Sequence, residues 1–251
     1  MLNLFQNFFY EPIFNLLIFL YNLIPDIGVA IILLTILVKA ALWPLSRKSI
    51  KSQKALQDLQ PKLNELKLKH ANDKQALGQA MMNLYKENKV SPFSSCLPIL
   101  IQFPFLIAVY RVFIDGFKGK HFDLVYPFIK APETINPIAF GFIDLSVRNI
   151  PLAVAAGLIQ FIQTKMMMAK RVQPKVKGSK DEDMAAIMSK QMTYLMPALT
   201  VFIGLSLPGG LTLYWFITTL LMFVQQVLIF RKDTKEREKK TGIIEGQAQI
   251  Q

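Results

Sequence analysis

Ile27–Leu45 reads IGVAIILLTILVKAALWPL, an apolar run with one cation in it, Lys39. A helix of that length approaches the ~20 residues needed to cross the hydrocarbon of a bilayer. A lysine at membrane depth costs roughly 2.5–3.5 kcal/mol on insertion scales, so its retention needs a reason. Two readings are open. Pro44 lies five residues on, roughly 7–8 Å along a helix, so the ammonium can snorkel to the headgroups. Alternatively it lines a wet cavity open to the cytoplasm, where it attracts acidic or polar parts of a client. Thr35 stands one helical turn from Lys39 on the same face.

The composition agrees with a membrane setting. The chain has 251 residues, 52% of them hydrophobic and 18% charged, with mean hydropathy +0.33. Several apolar runs approach spanning length, which reads as an integral membrane protein. The net charge of +12 would suit nucleic acid, but no RNA- or DNA-binding signature accompanies it, and DNA is not an expected partner. The single cysteine, Cys96, excludes an internal disulfide. His70 and His121 are far apart in sequence, so neither a metal nor any other cofactor is expected. Residues 1–26 contain no Lys or Arg and so lack the basic start of a secretory signal.

Along the chain, 1–26 is expected outside the cytoplasm. Phe14, Leu17, Ile18 and Tyr21 recur at helical spacing after Tyr10-Glu11-Pro12, predicting a helix in the membrane interface. Spans are expected at 27–45, 95–114, 149–168, 192–207 and 208–230, the last two joined by Pro208-Gly209-Gly210. Between the first two, residues 46–94 are hydrophilic. Leu56, Leu59, Leu63 and Leu66 form one apolar stripe, and Leu77, Met81, Leu84 and Tyr85 a second, with a break at Asn72-Asp73. A hairpin of two antiparallel helices satisfies both, with Pro61 at a kink or a first turn. Residues 115–148 and 169–191 are loops, and 231–251 is a basic tail.

Charge orients these spans. Segment 46–94 carries ten cations, 169–190 six and the tail six, whereas 1–26 has none. In 115–148 four cations are matched by four acids. The positive-inside rule places the hairpin, the second loop and the tail in the cytoplasm, with the N-terminus outside.

The expected spans hold Gln102, Gln160, Gln163, Gln225 and Gln226 but no carboxylate and no histidine. Glutamines in spans commonly join helices. Proton-coupled transport needs a membrane acid, and intramembrane proteolysis needs a nucleophile–base pair or two aspartates, so catalysis is not expected. A transporter would show paired halves with interrupted helices, and no such repeat is present. Saturable solute flux without a client would mark that class. A passive scaffold that recruits partners through 46–94 would lose all activity on deletion of 50–88.

Five ordered segments resemble the YidC/Oxa/Alb family of membrane protein insertases: AIILLTILVKAALWPLS (30–46), LQPKLNELK (59–67), DKQALGQAMMNLYKENKVSP (73–92), CLPILIQFPFLIAVY (96–110) and MPALTVFIGLSLPGGLTLYWFITTLLMFVQQ (196–226). The resemblance covers about residues 11–235. It implies an all-α membrane protein, with five transmembrane helices around a hydrophilic groove open to the cytoplasm and lipid. It also implies a short form of the bacterial type, without the large extracytoplasmic domain, in the cytoplasmic membrane. Lys39 takes the position of the family's groove arginine, keeping the charge but losing the bidentate fork. Thr35, Gln163 and Trp215 are its implied groove neighbours, with Gln102 as a further polar lining residue. Implied partners are nascent membrane-protein clients and the lipid bilayer. The ribosome, a Sec-type translocon and the signal-recognition-particle receptor are further candidates.

Overall fold

The computed structural model describes residues 2–71, 73–91, 97–116, 122–168 and 191–248. The chain is mostly helical, with several apolar spans. In order come α1 (Leu2–Phe5), a π-helical segment (Gln6–Tyr10), α2 (Glu11–Leu23), α3 (Ile27–Ala41), α4 (Trp43–Asp58), α5 (Gln60–Lys69), α6 (Lys74–Glu87) and α7 (Leu97–Gly116). Then follow the short strands β1 (Ile138–Ala139) and β2 (Ile143–Asp144), α8 (Ile150–Met168), a second π segment (Gln191–Leu195), α9 (Met196–Gly204) and α10 (Gly209–Ala248). Among the described residues, Ile150–Met167 and Gly209–Arg231 are long and apolar enough to cross a membrane. The bent pair α3–α4 is a third if counted as one span.

The N-terminal segment does not break at Tyr10-Glu11-Pro12. The Glu11 N–H bonds to the Gln6 carbonyl, making a wide turn, and Pro12 then sits in the first turn of α2. The wide π turn ahead of Pro12 accommodates a residue with no N–H to give to that turn. Phe14, Leu17, Ile18 and Tyr21 are buried, as helical spacing requires of one packed face. Asn15, Tyr21 and Asn22 of α2 hold the loop between α7 and β1. Asn15 Nδ2 donates to the Leu124 carbonyl at 3.0 Å, and its Oδ1 accepts from the Tyr126 N–H at 2.7 Å. The Tyr21 hydroxyl accepts from the Asn136 N–H, and Asn22 Nδ2 donates to the Lys130 carbonyl. The Tyr10 hydroxyl donates to Asp115 at 3.5 Å, and burial together with that carboxylate pushes its pKa up.

The same loop closes one end of the bundle. β1 and β2 pair antiparallel, Ile138 opposite Asp144, across a turn in which Phe140 and Gly141 have φ of 54° and 80°. The hairpin lies on the first turn of α3. Asp26 caps that helix by accepting from the Val29 N–H at 3.0 Å, and its other oxygen accepts from the Phe140 N–H at 2.5 Å. Gly28 permits this approach, because a Cβ there would stand 2.6 Å from the Ala139 Cβ. One apolar core joins α2, α3, α7 and α10, with Ile31, Leu34, Val109, Phe113, Leu211 and Tyr214 buried in it.

At the opposite end α3 stops at Ala41, short of the expected Leu45, and the chain turns through 68° into α4. Pro44, in the first turn of α4, has no N–H for the Ala40 carbonyl, so the helix cannot run on unbroken. The tail differs from expectation in the other direction. α10 runs on as helix to Ala248, through a Lys-, Glu- and Arg-rich sequence of good helix formers.

In the hairpin, Pro61 opens α5 and Asp73 caps α6 by accepting from the Ala76 N–H at 2.9 Å. Leu56, Leu59 and Leu63 are buried, while Leu77, Met81, Leu84 and Tyr85 are half-buried. In the expected fourth span, 192–207, the helix ends at Gly204. It packs closely on α8, where a Cβ on Gly157 would meet the Val201 side chain at 2.3 Å. Most of the expected 169–191 loop lies outside the described residues, as do Cys96 and His121.

Candidate functional site: a cavity beside Lys39

A cavity of about 360 Å³ opens where α3, α7, α8 and α10 meet. Its polar lining comes from Lys39, Ser46, Gln102, Gln160, Tyr214, Thr218 and Thr219, and its apolar walls from Leu42, Phe103, Leu106, Trp215 and Met222. The α10 residues recur at steps of three and four, which puts them on one face of that helix. Leu42 and Ser46 come from the α3–α4 bend and form the end of the cavity nearest the hairpin α5–α6. Toward β1–β2 the bundle is packed with apolar side chains, Ile31, Leu34, Val109, Val112 and Leu211 among them. The recess is therefore blind at that end.

Lys39 is half-buried, and its Nζ donates to Gln102 Oε1 at 2.8 Å. The Gln102 amide in turn donates from Nε2 to the Tyr214 hydroxyl. This chain of contacts orients the ammonium by a neutral oxygen, and among the described residues that line the cavity there is no carboxylate. A charge held by a neutral partner can accept an anion. Gln160 is fixed from its other side, its Oε1 accepting from the Thr200 hydroxyl at 2.6 Å.

Of the residues singled out in the sequence, Lys39, Gln102, Gln160 and Trp215 meet at this cavity. Thr35 does not line it. Its side chain is fully buried between helices, and its hydroxyl donates to the Ile31 carbonyl of its own helix at 2.7 Å. Gln163 is half-buried and outside the lining, where Gln160 takes part instead. Tyr214, Ser46, Thr218 and Thr219 were not singled out. The signal for three of them was present in the spacing of Tyr214, Thr218 and Thr219 against Trp215 and Met222. Gln225 and Gln226 are buried beyond the cavity, where Gln225 Nε2 reaches the Trp43 carbonyl at 3.5 Å.

Residues 19–237 match the family model described as 60Kd inner membrane protein. The curated relatives include a protein of Tolumonas auensis, 35% identical over 233 residues, which covers 91% of this chain and 37% of that protein. One from Haemophilus influenzae is 35% identical over 227 residues, 89% of this chain and 37% of the relative. One from Actinobacillus pleuropneumoniae is 36% identical over 234 residues, 91% and 38% respectively. Each is named membrane protein insertase YidC. The chain thus spans under two-fifths of the length of these relatives.

Among solved structures, an active YidC insertase with its first transmembrane domain resolved superimposes with TM-score 0.57 at 24% identity. The match covers 86% of this chain and 45% of that one, and it establishes the fold. Sequence match, helical architecture and the motifs at 30–46, 59–67, 73–92, 96–110 and 196–226 agree, and the chain belongs to the 60Kd inner membrane protein family, that of the YidC insertases.

Proposed function

We propose that the chain is a non-enzymatic insertase and chaperone that moves client transmembrane segments from the cytoplasmic side into the bilayer. One observation carries this reading: a half-buried ammonium in a mainly apolar recess, held by the neutral oxygen of Gln102. A client's polar flank must cross hydrocarbon, where each unpartnered polar group costs several kcal/mol. A recess lined by Lys39, Ser46, Gln102, Gln160 and Tyr214 offers hydrogen-bond partners for part of that path. An acidic flank would displace the Gln102 oxygen from Lys39 and form a charge-assisted contact in its place. The client's apolar stretch then leaves past the exposed faces of α7 and α9, where Phe103 and Phe202 stand, into lipid.

In this reading 1–26 and 115–148 lie outside, and 46–94, 169–191 and the tail lie in the cytoplasm. The groove set is Lys39, Gln102 and Trp215, with Thr35 and Gln163 supporting it from behind. The expected fourth span, 192–207, is roughly 24 Å of helix against ~30 Å of hydrocarbon, which favours local thinning of the bilayer. The proposed partners are nascent membrane proteins, with the ribosome, a Sec-type translocon and the signal-recognition-particle receptor meeting the basic cytoplasmic segments.

The test is insertion into vesicles holding the purified chain. Lys39→Gln is expected to slow clients with acidic translocated flanks about tenfold, equivalent to ~1.4 kcal/mol, and to spare clients with neutral flanks. Equal rates for both client types in the variant and the parent would remove Lys39 from the mechanism.

A further inference from the structure

We propose that the elbow between α3 and α4 is a binding site for anionic phospholipid headgroups, built from Trp43, Leu45, Arg47, Lys48 and Lys51. The bend supplies the orientation. α3 is an apolar helix of 15 residues that reaches spanning length only together with α4, and α4 departs from it by 68°, so an α3 upright in the bilayer sets α4 close to the plane of the membrane surface. One face of α4 is already occupied. Ser49, Ile50, Gln53 and Lys54 are buried, and Lys54 Nζ donates to the Phe230 carbonyl of α10 at 3.2 Å. Gln57 donates to the Met167 carbonyl near the end of α8. The helix is therefore fixed in rotation, and its other face is presented outward.

That outward face has the composition of a headgroup contact. Arg47, Lys48 and Lys51 are exposed, and from Trp43 to Gln57 the sequence contains no acid. Trp43 is 44% exposed and Leu45 42%. They continue the outward apolar surface of α3, on which Ile36 is 42% and Leu37 46% exposed. An acyl-facing surface thus runs into an indole at the interface and then into three cations, in the order in which a bilayer presents chains, glycerol region and phosphate. Phosphates of neighbouring anionic lipids supply the charge complement to these cations. The site does not depend on the insertase reading.

Trp43 provides the reporter, because the chain has two tryptophans. In the full chain carrying Trp215→Tyr, Trp43 fluorescence is measured in phosphatidylcholine vesicles containing either brominated phosphatidylglycerol or brominated phosphatidylcholine. The expected result is a preference of about fivefold for the anionic lipid at low salt, shrinking at high salt and lost in R47Q/K48Q/K51Q. Equal quenching by the two lipids, or a preference that survives the triple substitution, would overturn the proposal. Retention of phosphatidylglycerol by the chain with both tryptophans, read by native mass spectrometry, gives the same decision without altering the cavity. Loss of bound lipid in the triple variant supports the site, and undiminished retention sinks it.

Discussion

Lys39 and Gln102 come from different helices, and the 2.8 Å contact between them fixes what each can do. Gln102→Glu would place a carboxylate where the neutral oxygen now lies. The expected outcome is an internal ion pair that occupies the ammonium, slowing insertion of acidic clients about as much as Lys39→Gln while leaving the melting temperature within a few degrees of the parent. A variant that inserted such clients at the parental rate would show that the cation is not what they meet. Asn15 is the other side chain with decisive contacts, since it satisfies Leu124 and Tyr126 at once. Asn15→Ala leaves those backbone groups without their partner, and a loss of about 1–3 kcal/mol is expected. Hydrogen exchange at the Tyr126 amide should rise accordingly, and unchanged protection there would refute this role. Both contacts join residues more than sixty positions apart, and neither partner is visible from the sequence around the other.

Elements were legible where local chemistry set them. Pro44 ends α3, Pro61 begins α5 and Asp73 begins α6, each by supplying or withholding one backbone hydrogen bond. At Pro12 a π turn ahead of the proline carries the helix through. The hairpin β1–β2 was read as featureless loop. Its strands have two residues each, and they are held by Asp26 and the surface at Gly28 rather than by their own propensity. Gly28→Ala tests that support. The added methyl cannot fit beside the Ala139 Cβ, and overpacking of this kind costs about 1–3 kcal/mol. The expected readout is faster proteolysis within 138–144 with the helical content of the bundle retained. Parental resistance to protease would mean that the hairpin is held elsewhere.

At the scale of the whole molecule, the question is whether the cavity is wet. In a Cys96→Ser background, single cysteines at 102 and 215 should react with a membrane-impermeant thiol reagent added from the cytoplasmic side, and cysteines at 35 and 163 should react at least tenfold more slowly. Equal protection of all four would mean a dry bundle. The amino-acid sequence alone determined the helical class, the apolar runs, the charge asymmetry and the oddity of Lys39, because hydropathy, capping and proline chemistry act over a few residues at a time. It could not decide which polar side chains share a space. Thr35 and Lys39 lie on one helical face, yet Thr35 is sealed between helices and Lys39 opens on the cavity. That difference comes from how α7 and α10 cross α3, and crossing is a property of packed surfaces far apart in the chain.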